Sequence, residues 1–298
     1  MNRFYSNGKV LLTGEYLVLY GAEAIGLPTK MGQDLLIDDR NDQIIEWNSF
    51  NIDKKKWFKC VFENNSLDIL KTTNTEISKR LQNLLKIAKR LNPEFLIFGK
   101  TVTTNLSFDY RWGLGSSSTL VNNIAQWSKI NPYHLLKKTF GGSGYDIACA
   151  SRDSPILFSL KSKKEQIKTV KFLPKFKKNL FFVYQNKKQN SKNSIIDFKK
   201  KQTIKSSTID EISDISNNLL ISSNIKEFTE LISSHERIIS ELLKLNPLIK
   251  MFPDYQGYVK SLGAWGGDFL LAIGPENSLD YFKEKGLKIG FSFDEFIL

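Results

Sequence analysis

The chain of 298 residues is long enough to bury one large hydrophobic core or two moderate ones. Its hydrophobic content of 41% and charged content of 25% are typical of globular proteins, and no apolar run approaches the ~20 residues that span a bilayer. It has two cysteines far apart in sequence, two histidines, and no apolar signal core near its start. We therefore expect a cytoplasmic protein without disulfide bonds, a zinc site or a membrane partner.

The net charge of +12, from 43 basic and 31 acidic residues, is compatible with nucleic-acid binding. However, the lysines are spread through long stretches such as residues 161–178, and no known nucleic-acid-binding motif accompanies them. We therefore expect no nucleic-acid partner. A basic surface of this kind would attract small anionic molecules instead.

Strand and helix patterns alternate through the first half of the chain. The stretch GKVLLTGEYLVLY, residues 8–20, predicts two strands around a Thr-Gly-Glu turn, and short strand-like runs fill residues 30–62. Residues 75–91 predict an amphipathic helix, which an Asn-Pro pair ends. The stretch FLIFGKTVTTNL, residues 95–106, predicts a further strand, and a helix is predicted from Ser116.

The second half begins with two apolar strands, PILFSL and NLFFVYQ. Two long amphipathic helices are predicted at residues 207–222 and 225–245, and a strand–helix–strand pattern closes the chain. The composition changes near residue 155. This order of elements predicts a mixed α+β protein.

The stretch RWGLGSSSTL, residues 111–120, brings two glycines and three serines to the start of the predicted helix. It lacks the lysine of a Walker-type phosphate loop, and it also lacks the third glycine and the acidic residue of a dinucleotide-binding fingerprint. Two interpretations fit the residues. Either the hydroxyl groups cap the first helical turn, or the free N–H groups of that turn bind phosphate.

Two further glycine-rich stretches carry an aspartate. In GGSGYDIACA, residues 141–150, Asp146 follows a glycine turn, where a carboxylate either caps a helix or accepts a proton from a hydroxyl group. In LGAWGGDF, residues 262–269, the glycines predict a tight hairpin or a turn between a helix-like segment and an apolar strand.

Together with SNGKVLLTGEYLVL at residues 6–19, these stretches resemble the three motifs of the GHMP kinase superfamily. The first stretch is similar to its N-terminal motif, GLGSSS to its phosphate loop, and LGAWGGDFLLA to its C-terminal glycine loop. The resemblance covers nearly the whole chain in the right order. Within the superfamily, LLTGEYLVL, GSGYDIACA and the GGD tripeptide are similar to the mevalonate-pathway branch, that is, to mevalonate kinase and phosphomevalonate kinase.

The resemblance implies an α+β protein with the two-domain GHMP kinase fold. Residues 1–155 would form a domain similar to domain 2 of ribosomal protein S5, and residues 156–298 a ferredoxin-like domain. It also implies an enzyme that transfers the γ-phosphoryl group of ATP, with Mg²⁺, to a mevalonate- or phosphomevalonate-like acceptor. The acceptor would be a small anionic molecule, and the protein a monomer or homodimer.

The same resemblance assigns roles to individual residues. Asp146 would orient or deprotonate the acceptor, and Lys9 would neutralise the transferred group. The ATP phosphates would be bound by Gly113, Leu114, Gly115, Ser116, Ser117 and Ser118, with Ser117 also holding Mg²⁺. The acceptor would be contacted by Glu15, Tyr16, Arg111, Ser143, Gly144, Gly266, Gly267 and Asp268. A substrate loop would include Lys188 and Ser191.

Two departures from the family pattern leave alternatives open. Residues 134–140, HLLKKTF, contain no acidic magnesium ligand upstream of Asp146, and Trp265 stands where the third motif has glycine. One alternative is therefore a nucleotide-binding protein without turnover, and another is a GHMP kinase for a different small alcohol or sugar. A nucleic-acid-binding protein is a third, because the N-terminal domain of the superfamily resembles a ribosomal-protein fold.

Overall fold

The computed structural model describes residues 1–162, 164–187, 198 and 204–298 of the chain. The described residues divide into two compact units. Unit 1 comprises Met1–Gly8, Met31–Tyr110 and Leu114–Ser151, and unit 2 comprises Lys9–Lys30, Arg111–Gly113 and the described part of Arg152–Leu298. The division of the sequence at residue 155 into two family domains stays a prediction.

The strands of the N-terminal half are β1 (Asn2–Leu11), β2 (Ala24–Asp39), β3 (Ile44–Phe50), β4 (Lys56–Glu63), β5 (Ile69–Thr72) and β6 (Lys100–Leu106). In unit 1 they pair in the order β5-β4-β3-β6-β2, where β3 and β6 are parallel and the other neighbours antiparallel. Strand β1 pairs with β2. Both of these strands continue along the chain from one unit into the other.

Four helices belong to unit 1: α1 (Thr75–Leu91), α2 (Ser116–Trp127), α3 (Pro132–Thr139) and α4 (Tyr145–Ala150). Helix α1 begins where the Asn74 side chain accepts a hydrogen bond from the Ile77 N–H, a common N-cap. Its buried face, with Leu84 and Leu85, packs in one hydrophobic core with side chains such as Trp47 of β3 and Ile124 of α2. Burial of this apolar face stabilises the helix far more than its propensity does.

Unit 2 contains β7 (Ile156–Lys161), β8 (Lys164–Thr169), β9 (Leu180–Tyr184), β10 (Tyr258–Ser261), β11 (Phe269–Ile273) and β12 (Gly290–Ser292). Its helices are α5 (Ser206–Ile221), α6 (Ile225–Leu243), α7 (Ser278–Glu284) and α8 (Phe293–Phe296), with 3₁₀ helices at Leu17–Tyr20, Lys177–Asn179 and Leu248–Met251. An antiparallel sheet has the order β10-β11-β9-β12, and the first residues of β2 pair with β7, which pairs with β8. Among the described helices, none combines the length and apolarity needed to cross a bilayer.

The mixed α+β class predicted from the sequence is confirmed, and so are most elements. The helix predicted at residues 75–91 is α1, and the helix predicted from Ser116 is α2. The two long helices predicted in the second half are α5 and α6, with slightly different ends.

The prediction of a second strand within residues 8–20 is wrong, because residues 17–20 form a 3₁₀ helix. Gly14 and Tyr16 have φ angles of 84° and 61°, which turn the backbone out of the extended conformation. The Val18 N–H then donates to the Gly14 carbonyl at 2.9 Å, which closes a turn. A short apolar run such as LVLY predicts burial but cannot distinguish a strand from a helical turn.

Two other segments also differ from prediction. The strand predicted from residue 95 begins only at Lys100, because Leu96 has a left-handed φ of 59° that interrupts extended backbone. The segment before the third glycine-rich stretch is strand β10, not a helix. That stretch therefore connects two antiparallel neighbours, β10 and β11, as the hairpin interpretation expected.

Candidate active site

The first turn of α2 has no side-chain cap in the part of the chain that the structure describes. Gly115 occupies the N-cap position with a left-handed φ of 87°, and the first intrahelical bond runs from the Thr119 N–H to the Gly115 carbonyl at 2.9 Å. The Ser118 hydroxyl also donates to that carbonyl, at 2.8 Å, instead of accepting from an N–H group. The N–H groups of Ser116, Ser117 and Ser118 therefore have no acceptor within the helix.

The start of α2 is accessible, while its remaining turns are held rigidly. Ser117 is exposed and Ser116 is half-buried, whereas Ser118 is buried. Further along, the Thr119 hydroxyl donates to Gln33 Oε1 at 2.8 Å, and a second bond from α2 reaches the Gln33 carbonyl. These buried bonds fix α2 on strand β2, so the free N–H groups have a defined direction.

The residues that lead into this loop pack within unit 2. The Trp112 ring lies 6.2 Å from Tyr184, 6.2 Å from Phe269 and 5.7 Å from Phe291, measured between ring centroids. The Tyr184 hydroxyl donates to the Arg111 carbonyl at 3.2 Å, while the Arg111 side chain is exposed. Trp112 therefore anchors the start of this loop through aromatic packing.

The third glycine-rich stretch meets the first glycine of the phosphate loop within unit 2. A β-carbon added to Gly113 would lie 2.5 and 2.6 Å from the carboxylate oxygens of Asp268, closer than any real contact. Asp268 itself has a left-handed φ of 55°, and backbone hydrogen bonds to Gln185 and Lys187 hold it there. Residue 113 must therefore be glycine, both for its φ of 75° and for this close approach.

The remaining residues of the third stretch combine an exposed glycine, a buried glycine and a buried indole. Gly266 is exposed with a φ of 92°, and the Gly267 carbonyl accepts a bond from the Gln185 side chain at 2.8 Å. Trp265 is 5% exposed, and its indole N–H has no hydrogen-bond partner among the described residues. The indole is thus buried and does not extend into solvent.

Helix α4 presents Asp146 in its first turn. Gly144 is the N-cap, with a φ of 92°, and no side chain among the described residues caps the helix. Because Asp146 is the second helical residue, it does not hold the position of a capping residue. Asp146 is half-buried, Ser143 beside it is buried, and α4 packs directly on α2 within unit 1.

The side chains of the first motif are less exposed to solvent than those at the start of α2. Lys9 is half-buried in β1, and Tyr16 packs on Phe198 with ring centroids 4.8 Å apart. Glu15 is 1% exposed, so an acceptor cannot touch its carboxylate without displacing neighbouring residues. Its predicted contact with the acceptor, like the other predicted site roles, stays a prediction.

Three buried ionisable residues, to which the sequence analysis assigned no site role, surround Glu15. Glu15, His235, Glu236 and Lys260 are each 0–1% exposed and lie together in unit 2. Burial raises the pKa of Glu15, opposed by Lys260 and by the Gly263 N–H, and burial also raises the pKa of Glu236 to about 7. Burial and the Lys260 charge lower the pKa of His235 well below its usual value.

The residues available for a metal ion are few. Within the described ranges, no group of three histidine, cysteine, aspartate or glutamate residues could hold one. The exposed Ser117 hydroxyl is an oxygen donor suited to Mg²⁺, which usually takes one or two protein ligands and completes its shell with phosphates and water. Lys188 and Ser191, predicted in a substrate loop, lie outside the described residues.

The fold matches solved structures of small-molecule kinases over nearly their full lengths. Mevalonate kinase from Methanococcus jannaschii has a TM-score of 0.70, covering 97% of this chain and 96% of that one, at 17% identity. Phosphomevalonate kinase from Streptococcus pneumoniae, in complex with phosphomevalonate and AMPPNP, has a TM-score of 0.71, with 98% and 100% covered at 16% identity. Galactokinase from Lactococcus lactis, complexed with galactose, has a TM-score of 0.64, with 95% and 87% covered at 12% identity.

No protein-family model matches the sequence, and no curated protein sequence does so either. Because the identities are only 12–17%, these structures establish the fold of the chain. That fold is the one shared by the GHMP kinases, so the resemblance inferred from the three motifs is confirmed at this level. Kinases of the mevalonate pathway are among the structures that the chain resembles. The finer description as S5-like and ferredoxin-like domains stays a prediction.

Proposed function

We propose that this chain is an ATP-dependent small-molecule kinase of the GHMP type, which phosphorylates a mevalonate- or phosphomevalonate-like acceptor. The observation that carries the proposal is the uncapped first turn of α2. Three consecutive serine N–H groups have no acceptor there, behind a Gly-x-Gly turn, in a chain with the fold of these kinases. Free N–H groups at a helix start, together with the helix dipole, favour phosphate.

Phosphoryl transfer requires positioning and charge neutralisation more than covalent chemistry. In this proposal the N–H groups of Ser116, Ser117 and Ser118 hold the ATP phosphates. Lys9 stabilises the negative charge of the transferred group, and Asp146 orients the acceptor or accepts its proton. If the acceptor is already a phosphate, no base is needed, and Asp146 acts through orientation and charge.

Mg²⁺ would enter with the nucleotide, because the described residues contain no group of three histidine, cysteine, aspartate or glutamate side chains that could hold it, and the exposed Ser117 hydroxyl would contribute one ligand. When bound, the ion supplies neutralisation of phosphate charge. Arg111 is exposed, and its guanidinium is suited to hold an anionic group of the acceptor through two hydrogen bonds. The choice of a mevalonate-like acceptor rests on the GEY, GSGYD and GGD segments.

The test is ATP consumption by the purified chain with a panel of acceptors: mevalonate, phosphomevalonate, homoserine and galactose. We expect turnover with one of the first two and Mg²⁺ dependence of the rate. Turnover with galactose alone would contradict the proposed mevalonate-like acceptor but would still support a kinase. Binding of an ATP analogue without turnover on any acceptor would support a nucleotide-binding protein and contradict the proposal.

A further inference from the structure

The buried cluster of Glu15, His235, Glu236 and Lys260 joins three separate parts of unit 2. Glu15 follows Gly14 in the first motif, His235 and Glu236 lie in the middle of α6, and Lys260 lies in β10. The Lys260 ammonium donates to Glu15 Oε1 and, at 2.7 Å, to the Ser261 carbonyl. Such a cluster is costly to bury, so its retention needs a reason beyond packing.

His235 holds the backbone of the first motif. The Gly14 N–H donates to His235 Nε2 at 2.9 Å, which requires a lone pair on Nε2 and so places the ring proton on Nδ1. His235 Nδ1 is buried without a hydrogen-bond partner among the described residues. An apolar side chain would fill the same space without that unsatisfied group, but it would lose both polar contacts of Nε2: the bond from the Gly14 N–H and the approach of Glu15 Oε2 at 3.2 Å.

The backbone conformation of Gly14 is tightly restricted, which allows one hydrogen bond to hold the turn. Its φ is 84°, and an added β-carbon would lie 2.5 Å from Ala24 Cβ. The hydrogen bond to His235 shows that the Gly14 N–H points towards α6. Fixing that N–H also fixes the start of Glu15, whose carboxylate is next to the third motif.

The same cluster holds the base of the third glycine loop. The Ser261 N–H donates to Glu236 Oε1 at 3.2 Å and to Oε2 at 3.3 Å, and the Gly263 N–H faces the Glu15 carboxylate. Gly263 has a left-handed φ of 67°, and a β-carbon there would meet nothing within 4 Å. Gly263 has no side chain that could hold this end of the loop, so the N–H groups of Ser261 and Gly263 fix it instead.

We propose that His235 and Lys260 are positioning residues, which hold the Gly14–Glu15 turn and the base of the Gly263–Asp268 loop in one arrangement. This inference rests on the proposed kinase function, because the two segments belong to its first and third motifs. Neither residue is proposed to touch ATP or the acceptor. They act through Glu15 and through the backbone of the loop, whose far end reaches Gly113.

The first experiment replaces His235 and compares turnover with backbone protection. His235→Leu removes the acceptor for the Gly14 N–H, whereas His235→Gln retains a side-chain oxygen that accepts it. Ile239→Val, also buried on α6, is the matched control because it opens a small cavity without a polar contact. Hydrogen exchange at Gly14 and across residues 262–268 is measured in all three, at equal distance below each melting temperature.

We expect His235→Leu to exchange faster in both segments and to lose about 10- to 100-fold in kcat, since misplacement by about 1 Å costs this much. The KM for ATP should change far less, because the α2 N–H groups are fixed within unit 1. His235→Gln should recover most of kcat. Ile239→Val should keep the exchange pattern and the kcat of the unsubstituted chain.

The role of Lys260 is tested by Lys260→Met, which keeps the apolar stem and removes the ammonium group. Since this leaves Glu15 unpaired and folding is at risk, Lys260→Met is also combined with Glu15→Gln, which removes both charges. We expect faster exchange at Ser261 and Gly263 in every variant that folds. Slow exchange in the folded double variant would overturn the role of Lys260.

The outcomes separate this inference from the kinase proposal. Unchanged exchange at Gly14 and residues 262–268 in His235→Leu overturns the positioning role, whether or not the chain consumes ATP. Faster exchange with full kcat also overturns it. If the unsubstituted chain shows no turnover with any acceptor, the kinase proposal fails, and the exchange comparison alone decides the positioning role.

Discussion

At the scale of single residues, Asp146 allows a catalytic role to be distinguished from a structural one. It lies one position beyond the first residue of α4, and glycine holds the N-cap, so its carboxylate is not required to cap the helix. A half-buried carboxylate in the first turn is also stabilised by the helix dipole. Its carboxylate therefore lies at the start of α4 without being the capping group of that helix.

We predict that Asp146→Asn lowers kcat by about 10²–10⁴-fold, the usual contribution of a general base. The amide keeps the shape of the side chain, so the melting temperature and ATP affinity should stay close to those of the unsubstituted chain. Asp153→Asn, a change outside every predicted site, serves as the control. Full activity in Asp146→Asn would remove this residue from the mechanism.

The residue scale is also where sequence reasoning was weakest. His235 lies within the helix predicted at residues 225–245, but a periodic pattern cannot reveal that the ring accepts a bond from a residue 221 positions away. Lys260 was missed because a lysine in a strand is ordinarily exposed. Only the three-dimensional structure brings these residues beside Glu15.

At the scale of elements, two glycines from different glycine-rich stretches are explained by different constraints. Gly113 combines a left-handed φ of 75° with the close approach of Asp268, while Gly141 has a left-handed φ of 69° and open space around it. The two glycines therefore form a natural comparison. They share backbone strain and differ in the room for a side chain.

We predict that Gly113→Ala destabilises the chain more than Gly141→Ala does. Both variants carry the strain of a left-handed alanine, about 1 kcal/mol, but only Gly113→Ala adds overpacking of typically 1–3 kcal/mol. Thermal unfolding of both variants gives the comparison, and Asp268→Gly in the Gly113→Ala background should recover part of the loss. Equal melting temperatures for the two alanine variants would show that the Asp268 side chain moves aside without cost and would contradict the prediction.

Element prediction succeeded where the pattern was long and failed where it was short. Helix α1 was predicted with its true ends, because seventeen residues of amphipathic periodicity run up to an Asn-Pro pair that ends the helix. The four-residue 3₁₀ helix at Leu17–Tyr20 was predicted as a strand, because its apolar run is as compatible with one as with the other. The local turn at Gly14 and Tyr16 decided the outcome.

At the scale of the whole molecule, the buried cluster links folding to pH. Two carboxylates, Glu15 and Glu236, share one ammonium, that of Lys260, and a neutral His235 completes the cluster. Burial raises the pKa of Glu236 from 4.5 to about 7, so the folded state binds a proton that the unfolded state releases. Its contribution to stability is therefore complete below about pH 4.5 and is lost as the pH rises to about 7.

We predict that this loss amounts to about 3 kcal/mol across the window, as 1.36 kcal/mol per pKa unit implies. The lowered pKa of His235 acts in the opposite direction below pH 6.5, so the unsubstituted chain alone would show a mixed profile. The measurement is therefore the difference in unfolding free energy between the unsubstituted chain and Glu236→Gln from pH 5 to pH 8. A difference that is independent of pH would contradict the raised pKa.

The indole of Trp265 provides an optical signal from within the third glycine loop. Buried indole N–H groups usually have a partner, but this one has none among the described residues, and the loop around it is rich in glycine. Its fluorescence should therefore be emitted at short wavelength and shift to longer wavelength whenever the loop rearranges to admit water. The other four tryptophans contribute a background that Trp265→Phe measures directly. The residue that departs most from the family glycine pattern would then report, without any added label, each time the loop changes its conformation.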